Sequence, residues 1–500
     1  MTEFSILSPR PGDFEPPETT PFYYDLNIDV IIDKMAVKWG KDIVRFYRCL
    51  PRTSEVPVYR RAVYNDFKIE GVYNALIRFT EDLERVKALR REKEKVMVPM
   101  QKAVWLIREI GAYCETYEAL AASLSKEELT SAGMREFLRI LKEILESGGY
   151  RELREHIDTL HKKIRELRFV ITYDKDRMRV EPGTLEGEGA YVTAFSEMTG
   201  SEVKRLLNPF RTESMLSEIE TACLRVITRK DPELFEDILN TARENENYEQ
   251  EVLSRFEREV LFYLAFRTLQ KDMEKEGFSF STPSMEEGRC MEGKGLYDLA
   301  LAIASLSTGR AVVSNDFRYE DGDKFFVLTG PNQGGKTTFA RSLGQLVYFT
   351  QMGLDVPAGE ANVFFFPDIQ THFSVEESVE TGRGKLKEEL TRLAPMMDEN
   401  KKSTFVVINE LFTTAANYDA GIMGKEVLKH FIGLDCMGIY VTHIAELSEG
   451  GAGIVSLRAV TDSVNEPTFK IERGDADDSA CAEKVVMKYG LTYERLKERL

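Results

Sequence analysis

Apolar positions in the first half of the chain recur at three- and four-residue steps. "AVYNDFKIEGVYNALIRFTEDLERVKALRREKEKV" and "MREFLRILKEILESGG" both carry this period, which predicts amphipathic helices, the second ended by Gly148 and Gly149. In "YRELREHIDTLHKKIRELRF", Leu153, Ile157, Leu160, Ile164 and Leu167 step by 4, 3, 4 and 3. That spacing fits a coiled-coil-like seam and equally an ordinary amphipathic helix lying on a core. The period then shifts. Val170 and Ile171, a polar Asp-Lys-Asp turn, and Met178 with Val180 predict a β-hairpin near residues 168–182. Helical patterning resumes at "GSEVKRLLNPF" and runs through "NYEQEVLSRFEREVLFYLAFRTLQKDMEKEG".

From about residue 296 short β-branched and aromatic runs, "FFVLTG", "TFVVIN" and "GIYVTH", alternate with helical stretches. This alternation signals βαβ units and a largely parallel sheet. The boundary falls near residues 278–295. The expected domains are a lead-in at 1–57, a helical domain at 58–290 and an α/β domain at 296–500. Residues 1–21 hold five of the 17 prolines and read as extended chain with no core of their own.

Composition narrows the function classes. A length of 500 residues exceeds what one core organises, and 43% apolar with 30% charged content describes an ordinary globular chain. The six cysteines form no CxxC pair and the five histidines no HExxH cluster, which argues against a zinc site and fits a reducing compartment. No apolar run reaches the ~18–20 residues of a membrane span, and the N-terminus lacks a basic start followed by an apolar stretch. A cytoplasmic protein without a membrane partner is expected. The net charge of −17 confines any nucleic-acid contact to local patches.

Candidate chemistry sits in the α/β part. "FFVLTGPNQGGKTTFARSLGQLVYF" contains Gly330, four residues, then Gly335, Lys336 and Thr337, between a predicted strand and a predicted helix. This is the P-loop pattern. Its glycines let the backbone curl around phosphates, Lys336 neutralises the β- and γ-phosphates, and the Thr337 hydroxyl ligates Mg²⁺. The expected ATP-binding residues are Gly330, Pro331, Asn332, Gln333, Gly334, Gly335, Lys336, Thr337 and Thr338. A second strand, residues 404–408, runs into Asn409 and Glu410. Glu410 is expected to be the general base that polarises the attacking water; the bland alternative is a loop carboxylate without chemistry. Asn409 stands where a magnesium-binding carboxylate is usual. It can accept a hydrogen bond from a metal-bound water, but it carries no charge. A third strand ends at His443, a candidate γ-phosphate sensor.

In this order the motifs resemble the MutS family of DNA mismatch-repair ATPases, densely over residues 296–500 and more loosely over 58–278. "TGPNQGGKTT" with Asn332, "MGLDVPA" (352–358), "ETGRGKLKEEL" (380–390), "NELFTTAANYDAG" (409–421), "VTHIAEL" and "FKIERGDADDSACAEKVVMKYGL" (469–491) carry the likeness. The resemblance implies a mixed fold: a mostly α-helical core/lever domain followed by an α/β P-loop ATPase domain of ABC type. It also implies a homodimer through the ATPase domains, in which a signature loop reaches the partner's nucleotide. Arg383, Gly384 and Lys385 occupy that loop here. Three departures stand out. Asn409 replaces the family's aspartate. Gly384 and Lys385 follow Arg383 where the family has a serine. No N-terminal mismatch-reading domain is expected ahead of the helical region. The expectation is tight ATP binding, slow hydrolysis, and a nucleotide-gated dimeric clamp that does not itself read mismatches.

Two basic islands suggest where DNA binds. Residues 85–102 hold seven basic and two acidic side chains, and residues 162–179 hold seven and three. Arg165, Arg168, Lys175, Arg177 and Arg179, around the predicted hairpin, are candidates for structure-selective phosphate contacts on irregular or branched DNA. The alternative is an ATP-gated protein of the same architecture acting on a ribosome, RNA or protein assembly.

Overall fold

The computed structural model describes residues 4–10, 21–174, 177–183, 218–285, 290–373, 385–398, 401–449, 451–462, 466–475 and 497. The chain divides into two units. One comprises Met1–Phe67, Ser131–Gly133 and Arg258–Leu500, the other Lys68–Thr130 and Met134–Glu257. The fold is mixed α/β, and among the described residues no helix is long and apolar enough to cross a membrane.

The first unit opens with α1 (Pro21–Asp25), α2 (Ile28–Trp39), α3 (Val44–Arg48) and α4 (Glu55–Lys68). Ahead of them Phe4, Ile6 and Leu7 are buried. Buried backbone needs partners, and this segment has them. The Ile6 amide donates to the Glu259 carboxylate at 2.8 Å, and the Ile6 carbonyl accepts from the Tyr263 hydroxyl at 2.6 Å. The Leu7 carbonyl accepts from Arg60 Nε at 2.8 Å. Ile6 is therefore tied to residues more than 250 positions away.

The second unit contains α5 (Glu70–Lys95), α6 (Pro99–Leu124), α7 (Ala132–Glu146), α8 (Gly148–Glu166), strands β1 (Phe169–Asp174) and β2 (Arg177–Pro182), and helices α9 (Glu218–Lys230) and α10 (Pro232–Glu244). Pro99 and Pro232 start their helices where a missing N–H costs nothing. Ser147 caps α8 and Asp231 caps α10, each accepting from an amide three residues on. In α8 the apolar steps serve a core. Ile157 and Leu160 have no exposed surface and pack with Ile107, Ile110 and Cys114 of α6 and Leu234, Phe235 and Ile238 of α10. Leu153, Ile164 and Leu167 lie against the same cluster, so the seam packs within this bundle. Strands β1 and β2 pair antiparallel from Phe169↔Pro182 to Asp174↔Arg177.

After α11 (Glu251–Lys275) come β3 (Met291–Leu296), α12 (Leu299–Thr308), β4 (Asn315–Tyr319), β5 (Phe325–Thr329), α13 (Lys336–Met352), β6 (Glu360–Asn362), β7 (Ile369–Phe373), α14 (Lys385–Leu393), β8 (Phe405–Asn409), α15 (Asn417–Gly433), β9 (Met437–Val441), β10 (Ile454–Thr461) and β11 (Pro467–Arg473). The main sheet has the order β11-β10-β5-β9-β8-β7. Strands β10, β5, β9, β8 and β7 run parallel, and β11 pairs antiparallel at the edge. A three-stranded antiparallel sheet, β4-β3-β6, lies apart from it in the pairing. All residues of β5, β8 and β9 are buried, as expected for strands covered on both faces. One face packs Phe325, Val327, Val406, Ile408 and Tyr440 against Leu428 and Phe431 of α15. Gly438 sits where strands crowd: a Cβ there would lie 1.9 Å from the Val406 carbonyl oxygen.

Candidate functional site

In the parallel sheet the carboxyl ends of β5, β9 and β8 lie side by side, the usual place for a ligand in an open α/β sheet. Strand β5 leads through residues 330–335 into α13. The turn needs backbone conformations that L side chains rarely adopt. Gly330 has φ 132° and Gly335 has φ 86°, and even Gln333 is left-handed at 62°. Space is equally tight. A Cβ on Gly330 would meet the Ala459 Cβ at 2.9 Å, and one on Gly334 would meet the Pro331 carbonyl oxygen at 3.0 Å. Lys336 is buried and folds back over this curl, its Nζ donating to the carbonyls of Gly330 at 2.8 Å and Pro331 at 2.9 Å. The first-turn amides of α13 have no intrahelical acceptor, so the loop and the positive end of the helix dipole together favour an anion.

The second strand brings polar groups to the same edge. The Thr337 hydroxyl donates to Asn409 Oδ1 at 3.0 Å. Donating its proton leaves the hydroxyl lone pairs free, which is what a metal ligand needs. Glu410 follows at φ 56°, held by its amide on the Val441 carbonyl at 3.0 Å. Its Oε1 lies 2.9 Å from His443 Nε2 beyond the end of β9. Both side chains remain partly exposed. A left-handed glutamate is uncommon and sterically costly, so its setting is dictated by the surrounding backbone. Among the described residues no three carboxylate, imidazole or thiol groups gather into a metal cage. The donors present, one hydroxyl backed by an amide oxygen, suit a magnesium ion that completes its shell with phosphate oxygens and water.

Three features of the site have no local signature in the sequence. Ala459 of β10 lies under the glycines. The Phe469 ring is 46% exposed and lies against Gly335; the residue is itself left-handed at φ 59°, with its carbonyl accepting from Asn315 Nδ2 at 3.0 Å. Asp25 of α1 ties three elements together. Its carboxylate accepts from Thr371 Oγ1 of β7 at 2.7 Å and faces Arg392 Nη2 of α14 at 3.6 Å, while its carbonyl accepts from Arg341 Nε of α13 at 2.9 Å. Burial pushes the Asp25 pKa above the usual aspartate range, and Thr371 and Arg392 pull part of it back.

Lys336, Thr337, Asn409, Glu410 and His443 thus converge at one sheet edge. Arg383 and Gly384 lie outside the described residues, and Lys385 is the first residue of α14. Residues 476–491, the end of the closing segment, are also outside them. In the other unit Arg165 and Arg168 are exposed at the end of α8, Arg177 and Arg179 lie on β2, and Lys175 is outside the described residues. Two cations of the 85–102 island have structural work: Arg90 and Lys93 pair with the fully buried Glu109 at 2.8 and 2.6 Å.

Residues 326–491 match the family described as MutS domain V. A DNA mismatch repair protein MutS from Fervidobacterium nodosum is 29% identical over 175 residues, covering 33% of this chain and 21% of that protein. The MutS of Thermosipho melanesiensis aligns at 21% identity over 91% of this chain and 59% of its own length. An endonuclease MutS2 from Thermomicrobium roseum aligns at 26% identity over 73% of this chain and 45% of its own length. The chain spans at most about three fifths of these relatives. Through its match to MutS domain V, and through relatives that align with most of its residues, the chain is similar to MutS and MutS2 proteins.

Proposed function

We propose that the chain is a P-loop ATPase of the MutS type that binds ATP tightly, hydrolyses it slowly, and uses the nucleotide to gate a homodimeric clamp on irregular or branched DNA. The observation that carries this reading is the meeting of three strand ends, with Thr337 on Asn409 at 3.0 Å and Glu410 on His443 at 2.9 Å. The glycine curl and Lys336 hold the triphosphate. The exposed Phe469 ring beside Gly335 offers an apolar face to the base. Glu410 accepts the hydrogen bond of the attacking water and draws off its proton, with His443 fixing the carboxylate from behind. Magnesium, held by Thr337 and through a water by Asn409, would supply charge neutralisation on the phosphates. Because Asn409 is neutral, that hold is weaker than a carboxylate gives, and hydrolysis is slow. Arg383, Gly384 and Lys385 complete the partner's site, with Lys385 acting by charge. Arg165, Arg168, Lys175, Arg177 and Arg179 grip DNA phosphates without reading bases.

The names of the relatives support the DNA part of the reading. The test is a gel-shift series on duplex, mismatch, junction and RNA ligands, with and without ATP, comparing the native chain with Arg177→Glu/Arg179→Glu. The reading expects ATP-dependent junction binding whose affinity and salt slope both fall in the variant. Unchanged DNA affinity and slope would remove the hairpin as the contact, and ATP-dependent binding of RNA alone would replace DNA as the target.

A further inference from the structure

Cations from α5, α6 and α8 meet in the helical unit. Arg85, Arg108 and Arg165 line one cleft of about 310 Å³, together with His161 and Glu115. That volume is at the small end of ligand pockets, roughly 300–1,000 Å³. Among the described residues neither Arg85 nor Arg165 is in an ion pair, and nearby Asp158 is taken by Arg154. The like charges act on one another. Beyond the effect of burial, Arg85 and Arg165 push the Arg108 pKa down. Burial, Arg165 and Arg108 push His161 down as well, against Asp158 and Glu115.

His161 lines the same cleft. His161 Nε2 is buried and has no hydrogen-bond partner among the described residues. The imidazole is seated by Gly111 in the interior of α6: a Cβ there would lie 2.4 Å from His161 Cε1. Glycine is unfavourable inside a helix, and here it opens the place the ring occupies.

We propose that this cleft is a binding site for one phosphate-type oxyanion, held by the guanidiniums of Arg85, Arg108 and Arg165. A phosphate carries enough charge and enough acceptor oxygens to satisfy several planar forks at once. The anion is either a small free phosphate compound or a backbone phosphate of bound nucleic acid. The inference stands independently of the nucleotide loop, which belongs to the other unit.

The test titrates pyrophosphate calorimetrically into the full chain carrying Lys336→Ala, which removes the other candidate anion site. One pyrophosphate per chain is expected. Its affinity falls at least about tenfold in Arg85→Gln/Arg165→Gln, because two charge-assisted contacts are lost. Both side chains are exposed, so the fold is retained. A DNA duplex separates the two sources. If it competes with pyrophosphate and loses affinity in the double variant, the anion is a backbone phosphate. If it does neither, the anion is a free one. Absence of pyrophosphate binding, or binding that ignores the double substitution, overturns the proposal. So does a duplex effect without pyrophosphate binding, which is ordinary surface electrostatics.

Discussion

Replacing Asn409 with aspartate adds one negative charge at a side chain that is 7% exposed and 3.0 Å from the Thr337 hydroxyl. The geometry of the acceptor hardly changes, because the carboxylate oxygen takes the place of the amide oxygen. A hydrogen bond to a charged group is worth ~1.5–3 kcal/mol, against ~1 kcal/mol for a neutral one. The gain of ~1–1.5 kcal/mol corresponds to about tenfold in an equilibrium constant. With Mg²⁺ and ATP present, the variant should therefore reach half-maximal turnover at about tenfold lower Mg²⁺ and hydrolyse ATP faster by a similar factor. Without Mg²⁺ the same carboxylate is a buried charge with no cation assigned to it, so the variant should melt lower than the native chain and regain more on adding Mg·ATP. Phosphate release measured across a Mg²⁺ titration, with Glu410→Gln as the hydrolysis-deficient control, reads both effects. If turnover and its Mg²⁺ dependence are unchanged in Asn409→Asp, the neutral amide is not what limits this site. If Glu410→Gln hydrolyses normally, Glu410 is not the base.

Other consequences concern stability. His372 of β7 is buried, and burial, with Arg392 adding to it, pushes its pKa down to about 4 from 6.5. The unfolded chain binds a proton between those pH values that the folded chain refuses, so stability falls as pH drops through that window. About 2 kcal/mol should be lost between pH 7 and pH 5. Urea unfolding at the two pH values should show a smaller loss in His372→Gln; an equal loss would place the acid sensitivity elsewhere. Gly438→Ala forces a methyl to within 1.9 Å of a backbone oxygen in the central sheet. It should cost ~1–3 kcal/mol or more, and an unchanged melting temperature would contradict the strand packing described here.

What was legible in the sequence follows from where the forces are local. Strands β5, β8 and β9 are buried on both faces, so each reads as an unbroken apolar run. The glycine curl and the lysine–threonine pair also lie within eight residues, because one turn carries them all. Strand β7, "IQTHF", was not legible: it buries Gln370, Thr371 and His372, and no apolar pattern marks it. The apolar steps of α8 announce a buried face but not what covers it, which is α6 on one side and α10 on the other. Ala459 and Phe469 reach the glycine loop only because β10 lies beside β5 and β11 beside β10. Phe4, Ile6 and Leu7 sit within a proline-rich opening whose pattern suggests no core, yet Arg60, Glu259 and Tyr263 supply partners for their backbone. The same long reach hides Asp25, whose partners Arg341, Thr371 and Arg392 lie more than 300 residues on. Pairings of that span are set by the topology of the sheet, and short windows of sequence do not carry them.

The proposed chemistry requires a triphosphate to seat in the loop between β5 and α13. Calorimetric titration of Mg·ATP into the native chain and into Lys336→Ala tests this directly. One ATP per native chain is predicted, with affinity at least about tenfold weaker in the variant, since a charge-assisted contact to phosphate is worth ~1.5–3 kcal/mol. No heat of binding in the native chain, or equal affinity in the two, would contradict it.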